Sequence, residues 1–244
     1  MIIPCIDLMD RNVVQLVQGR EDSRLFETPD AVSVLERFAS YPQIQVIDLD
    51  AAMGRPPQSD IIRELAARKP CRVGGGIRSV ERAREVLSQN AVKVIVGSAA
   101  FTSEGIARDF LDALASTVPW QKLMISVDCL DDHVAVHGWK TILPLTSGEV
   151  LPQLEPYCSE FLCTCIDVEG KHEGTRLEWF RRLREITSLP ITAAGGITSD
   201  EEIEALDAMG MHAALGVAIY RRLFPELFDS TRAEPSAARH QSST

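Results

Sequence analysis

The chain has 244 residues, 45% of them hydrophobic, and carries 25 Lys and Arg against 35 Asp and Glu, a formal net charge of −10 with a pI near 5.0. That balance makes nucleic acid a poor partner, because counterion release on a polyanion needs a basic surface, yet it leaves local anion binding by backbone N–H groups open. No stretch has the unbroken apolar length of a membrane span and no basic, apolar or cleavable leader precedes the first strand, so a cytoplasmic protein with no membrane partner is expected.

In chain order the first strand runs from Ile2 to Asp7, followed by a short reverse structure over Val13–Gln18 and a turn at Gly19-Arg20. Glu21–Thr28 is polar and reads as a mobile loop. A helix over Pro29–Ser40, with Pro29 in its first turn, leads to a strand at Ile44–Asp50, a loop at Gly54–Gln58 and a helix ending at Arg68. Cys71–Val73 is a strand, and Ser79 caps a helix to Gln89. The strand Val92–Val96 precedes a helix signalled by Thr102-Ser103-Glu104, and Leu123–Asp128 is the next strand. Cys129–His137 alternates like a small hairpin that ends at Gly138-Trp139, before a helix near Thr146–Leu154. The remaining units are strand Phe161–Ile166, helix Leu177–Ile186, strand Ile191–Ala194, helix Ser199–Met209 and strand His212–Leu215.

Eight alternating strand–helix units in a chain of this size predict an α/β fold, a TIM-type (β/α)8 barrel in one domain over 1–228, with a polar tail from 229 to 244 expected to fray. The six cysteines form no zinc-type C-x-x-C pair and several sit inside apolar strands, so they read as reduced core thiols.

The glycine turns occur twice. Val73-Gly74-Gly75-Gly76-Ile77-Arg78-Ser79 is echoed by Ala193-Ala194-Gly195-Gly196-Ile197-Thr198-Ser199, with Gly75 and Gly195 120 apart. Val94-Ile95-Val96-Gly97-Ser98 is echoed by Ala213-Ala214-Leu215-Gly216-Val217, with Gly97 and Gly216 119 apart. Ile47-Asp48-Leu49-Asp50 matches Ile166-Asp167-Val168-Glu169, and Asp7 matches Asp128. The chain thus reads as two halves of one design, a barrel with an internal twofold, half-barrel repeat. A glycine turn into a helix leaves backbone N–H groups open to an anion, so two pairs of such turns make a bisphosphate site; the alternative is that each glycine only serves a tight turn.

Catalytic groups of such barrels sit at the C-terminal ends of strands, where Asp7, Asp48, Asp50, Asp128, Asp167 and Glu169 all fall. The first and fifth strands lie opposite each other, so Asp7 and Asp128 should face across the mouth as an acid–base pair. A single strand-end Asp is as readily a helix cap. No histidine stands at ligand spacing beside the carboxylates, so no metal is expected.

The motifs Ile2-Ile3-Pro4-Cys5-Ile6-Asp7-Leu8, Val46-Ile47-Asp48-Leu49-Asp50-Ala51-Ala52, Val73-Gly74-Gly75-Gly76-Ile77-Arg78, Val94–Ala99, Val127-Asp128 with Gly138-Trp139, and Ala194-Gly195-Gly196-Ile197 together resemble the phosphoribosylformimino-aminoimidazole carboxamide ribotide isomerase family of histidine biosynthesis, from residue 1 to about Phe224. The resemblance implies a twofold-repeated barrel, without metal or organic cofactor, that converts an aminoaldose to an aminoketose by an Amadori rearrangement. On that likeness Asp7 would be the general base and Asp128 the general acid, with Trp139 packing on the heterocycle of a small bisphosphorylated substrate. Gly76, Arg78, Gly97 and Ser98 would hold one phosphate, and Gly174, Gly195, Gly196, Gly216 and Val217 the other. The protein is expected to be a monomer.

Most bacterial members carry arginine where this chain has Gln15, Asp-Gly where it has Glu169-Gly170, and a basic residue where it has Val217. Gln15 and Asp167-Val168-Glu169-Gly170 resemble instead the fungal and plant version, with Asp167 or Glu169 aiding catalysis. Three alternatives are weighed. The cyclase barrel of the same pathway has a lysine in the first hairpin that Val13-Val14-Gln15-Leu16 lacks. A dual isomerase that also serves tryptophan biosynthesis has a loop arginine not evident here. A non-catalytic barrel binding a phosphorylated metabolite is the third.

Overall fold

The computed structural model describes residues 1–17, 19–169 and 174–225; Gln18, Gly170 and the tail 229–244 named above lie outside the described residues. Among the described residues twelve strands form one sheet. In chain order these are β1 (Ile2–Met9), β2 (Asn12–Val17), β3 (Arg20–Thr28), β4 (Ile44–Asp48), β5 (Cys71–Gly74), β6 (Lys93–Val96), β7 (Leu123–Leu130), β8 (His133–Val136), β9 (Thr141–Thr146), β10 (Glu160–Cys165), β11 (Ile191–Ala194) and β12 (His212–Leu215). Eight of them, β1, β4, β5, β6, β7, β10, β11 and β12, pair in parallel, and the β10–β7 pairing closes the ring into the expected (β/α)8 barrel.

Period-two alternation divides each barrel strand between two cores. Outward residues such as Val46, Val73, Val94, Ile125 and Phe161 pack under the helices. The inward set stacks in layers. Cys5, Ile95, Met124, Leu162 and Ala214, with Ile47 and Ala194 against them, form an apolar plug. Gly74 completes this layer because a Cβ there would meet the Ile47 Cδ1 at 3.0 Å and the Ile95 Cβ at 3.2 Å.

Beneath the plug lies a buried ion pair. Arg72 and Glu160 (side chains 3% exposed) meet at 2.7 Å, Thr192 joins both at 2.8 and 2.6 Å, and Lys93 reaches the second Glu160 oxygen at 2.9 Å. Burial alone pushes the Glu160 carboxyl up, but Arg72, Lys93 and Thr192 outweigh it and hold the group below its ordinary range. All six cysteines are buried and unpaired. Among the described residues no helix is long and apolar enough to cross a membrane.

The structure departs from the sequence expectations in four places. Glu21–Thr28 is not a loop but most of β3, laddered on β2. Its anchor is Phe26, buried with its ring 4.8 Å from that of Tyr220, and Arg24 ties Asp10 and Glu27. The strand expected through Asp50 stops at Asp48, whose carboxylate caps a short helix, Leu49–Ala52, by accepting from the Ala51 N–H. The helix signalled at Thr102 begins only at Arg108, because Thr102 closes a turn with Gly105. The helix expected over Pro29–Ser40 is shortened to Ala31–Arg37, with Asp30 as its cap.

Removing one partner of a buried ion pair leaves the other charged and unsatisfied, at about 3–5 kcal/mol. Glu160→Gln should therefore lower unfolding free energy by about 3 kcal/mol in urea titrations at neutral pH. A loss under about 1 kcal/mol would show that the lower layer contributes little.

Candidate active site

In the inward phase, Asp7 lies two residues beyond the plug residue Cys5 on β1, and Asp128 lies four beyond Met124 on β7. They open into a cavity of about 1170 Å³ at the C-terminal ends of the barrel strands, which Gly75, Gly76, Arg78, Gly97, Ser98, Trp139, Glu169, Gly195, Gly196, Gly216 and Val217 also line. The two carboxylates are held differently. Asp128 accepts from the Ser126 hydroxyl at 2.7 Å and from the Trp139 indole N–H at 2.8 Å. Among the described residues Asp7 receives one long bond, from the Gln15 amide at 3.4 Å. Burial, and then the Glu169 carboxylate, push the Asp7 carboxyl up to about 7. Glu169 is itself raised by burial, with an N–H from Gly196 opposing and Asp128 adding to the rise.

Matching backbone surrounds this pair. Gly75 (φ +100°) and Gly195 (φ +95°) pass so close to the neighbouring strand end that a Cβ would lie 2.1 Å from the Asp48 carbonyl oxygen and 2.2 Å from that of Cys165. No other residue fits either place. The helices that follow are capped alike, by Ser79 accepting from the Arg82 N–H and Ser199 from the Glu202 N–H, both at 3.2 Å. Gly97 (φ −101°, ψ −116°) and Gly216 (φ −92°, ψ −110°) also share one conformation.

Side chains at the rim are partly engaged. Arg78 donates to the carbonyls of Ala51, at 3.0 Å, and Ala52, the last two residues of the Leu49–Ala52 helix. The Ser98 hydroxyl accepts from the His137 N–H at 2.8 Å. His137, Gly138 and Trp139 are three consecutive residues with positive φ. That turn costs on the order of 1 kcal/mol at each non-glycine position, and it aims the Trp139 indole at Asp128. The Trp139 ring lies over Gly19, where a Cβ would come within 3.2 Å of it.

Other candidates point elsewhere. Asp48 spends its second oxygen on the Gln58 N–H at 2.8 Å, and Asp50 accepts from the Asp10 N–H and the Gln58 amide; both are structural caps outside the cavity. Asp167 accepts from the Asp131 N–H and pairs with Arg176 at 3.1 Å, and Gly174 abuts the Glu202 carboxylate. Neither is among the lining residues, so of the acidic pair after β10 it is Glu169 that the fold brings to the cavity. Sequence reasoning passed over Ser126, Thr164 and the contact of Gln15 with Asp7. Ser126 and Thr164 share the inward phase of Asp128 and Leu162, a signal that alternation carries. Among the described residues no group of three or more His, Cys, Asp or Glu side chains is arranged to hold a metal ion.

Comparison with known proteins agrees with this geometry. The family model described as "Histidine biosynthesis protein" matches residues 1–225. A protein of Methanocaldococcus jannaschii named 1-(5-phosphoribosyl)-5-((5-phosphoribosylamino)methylideneamino) imidazole-4-carboxamide isomerase is 35% identical over 230 residues, covering 91% of this chain and 94% of the relative. Proteins of the same name from Methanothermobacter thermautotrophicus (33%, covering 91% and 94%) and Synechococcus sp. (33%, covering 90% and 85%) are similar over nearly the same span. With a family match along almost the whole barrel and relatives above 30% identity across nine-tenths of it, the chain belongs to the histidine biosynthesis protein family.

Proposed function

We propose that the chain is the aldose–ketose isomerase of histidine biosynthesis that converts the aminoaldose ProFAR into the aminoketose PRFAR. The observation that carries the reading is the pair Asp7 and Asp128 at facing positions of one large cavity, with Asp7 pushed up to about 7, where a general base works best near neutral pH. The names of the relatives support the same reaction.

Asp128, in the role of general acid, gives a proton to the furanose ring oxygen as the C1–O bond breaks, and the lone pair of the nitrogen on C1 forms the C1=N bond of a Schiff base. Asp7 then takes the proton from C2, whose electrons form the C1=C2 bond while the C=N electrons return to nitrogen. The resulting enaminol tautomerises to the ketose. Both transfers are served by carboxylates, so no metal or organic cofactor is needed. Gly76, Arg78, Gly97 and Ser98 hold one phosphate; Gly195, Gly196, Gly216 and the Val217 N–H, with Gly174 supporting the turn, hold the other. Trp139 stacks on the heterocycle. Glu169, close enough to raise Asp7, is the auxiliary carboxylate, and Asp167 steadies its loop. The matched glycine turns support a barrel built from two half-barrels; that it acts as a cytoplasmic monomer is part of the same proposal.

Asp7→Asn and Asp128→Asn should each lower turnover of the aminoaldose by about 100-fold or more, with substrate still bound in calorimetry. Turnover within tenfold of the parent in either variant would remove that residue from the chemistry. Because the base must be ionised, kcat/KM should fall as pH drops through about 7; a profile flat to pH 5 would contradict Asp7 as the base. Stability runs the other way. The folded state holds the Asp7 proton more tightly than the unfolded chain, so the residue destabilises the fold increasingly as pH rises from the ordinary carboxylate range through about 7. Asp7→Asn should accordingly raise Tm at pH 8, with the gain vanishing near pH 4; a lower Tm at pH 8 would show that the buried carboxylate is not a burden.

A further inference from the structure

Gln15 belongs to β2, outside the barrel ring, yet it is 3% exposed. Burying a primary amide is unfavourable unless its polar atoms find partners. β2 runs antiparallel to β1 with Val14 opposite Asp7, along a strand that β12 pairs only as far as Pro4. Its Nε2 donates to the Asp7 Oδ2 at 3.4 Å. Its other end rests on the last glycine turn, where a Cβ on Gly216 would stand 2.7 Å from the Gln15 Oε1. The amide is therefore wedged between the carboxylate and the backbone after β12.

The chemistry fixes which way round it sits. An ionised carboxylate only accepts, so the NH2 group must face Asp7 and the carbonyl oxygen must face Gly216. A neutral donor steers a carboxylate without forming an ion pair; an ammonium or guanidinium in the same place would shift the group further toward its ionised form. The groups facing Asp7 are otherwise acidic or neutral. Glu169 approaches from the loop after β10, and Cys5 lies below it on β1. Tyr220, on the helix Val217–Leu223, is tied by its hydroxyl to the Cys5 carbonyl at 3.0 Å.

We propose that Gln15 is a positioning residue for the base: its amide aims the Asp7 carboxylate into the cavity and, being uncharged, leaves it able to take up a proton. The inference rests on the isomerase reading, in which Asp7 is the base. The 3.4 Å distance belongs to the free protein, and such contacts shorten when substrate fills the site. Because the same amide leans on Gly216, an anion held at that turn and the aim of the base are linked through one side chain.

The experiment compares the parent protein with Gln15→Met, which keeps the length and loses the donor, and Gln15→Lys, which adds a cation. Steady-state kcat and KM for the aminoaldose are measured across pH, and the Asp7 carboxyl is titrated by 13C NMR, a readout that needs no turnover. For Gln15→Met, kcat should fall roughly tenfold with KM within about threefold, since a hydrogen bond to a charged group is lost. Both the acid limb of kcat/KM and the Asp7 titration should move to higher pH, as a donor to the ionised form is gone. For Gln15→Lys both should move to lower pH. Should Gln15→Met fail to fold, Gln15→Glu keeps the shape and is expected to move the titration upward more strongly. An unmoved Asp7 titration across the variants, or a rise in KM alone with kcat intact, would overturn the proposal. A parent protein that turns over no aminoaldose would sink the isomerase reading instead, and the NMR arm would still decide whether Gln15 holds Asp7.

Discussion

Closure of the sheet is the constraint on which everything else depends. Once β10 pairs with β7 the ring has an inside, and every second residue of eight strands is committed to it. The inside is small, so the inward residues must fill it in layers: charged and hydroxyl groups that satisfy one another at one end, aliphatic side chains in the middle, and whatever comes next at the other end. Asp7 comes next on β1, and on the opposite strand Asp128 follows after Ser126. Their meeting across one cavity is a consequence of strand phase, and neither needs a flexible loop to bring it there.

The same geometry explains why a carboxylate of high proton affinity arises here. Asp7 sits above an apolar plug, with one neutral donor beside it and Glu169 facing it. Asp48, on the neighbouring strand, faces outward, where N–H groups of Ala51 and Gln58 are within reach, and it becomes a cap. Two aspartates at two strand ends thus acquire different chemistry from the side of the sheet on which they fall.

Much of this was legible in the sequence for physical reasons. The eight units could be read because strand and helix periods alternate along the chain, and the glycine turns because Gly75 and Gly195 occupy places that exclude any Cβ. Asp7 and Asp128 stood out as the last inward residues of apolar strands. What escaped reading depends on contacts between distant parts. β3 looked like a loop because Arg20–Arg24 is charged, and the contact of Phe26 with Tyr220 joins residues nearly two hundred apart. Asp48 and Asp50 could not be separated from the cavity carboxylates without knowing that the strand ends one residue before the Leu49–Ala52 helix. Whether Asp167 or Glu169 faces inward depends on the short helical turn Ile166–Val168, which no local pattern announces.

The layered interior also decides how molecules enter and leave. With Cys5, Met124 and Leu162 packed together and the Arg72–Glu160 pair sealed beneath them, the barrel axis is closed below the cavity among the described residues. A small molecule therefore cannot pass through the barrel along its axis and must leave on the side from which it came. A molecule lingering in the cavity obstructs the next one, and whatever narrows the rim slows entry and exit together.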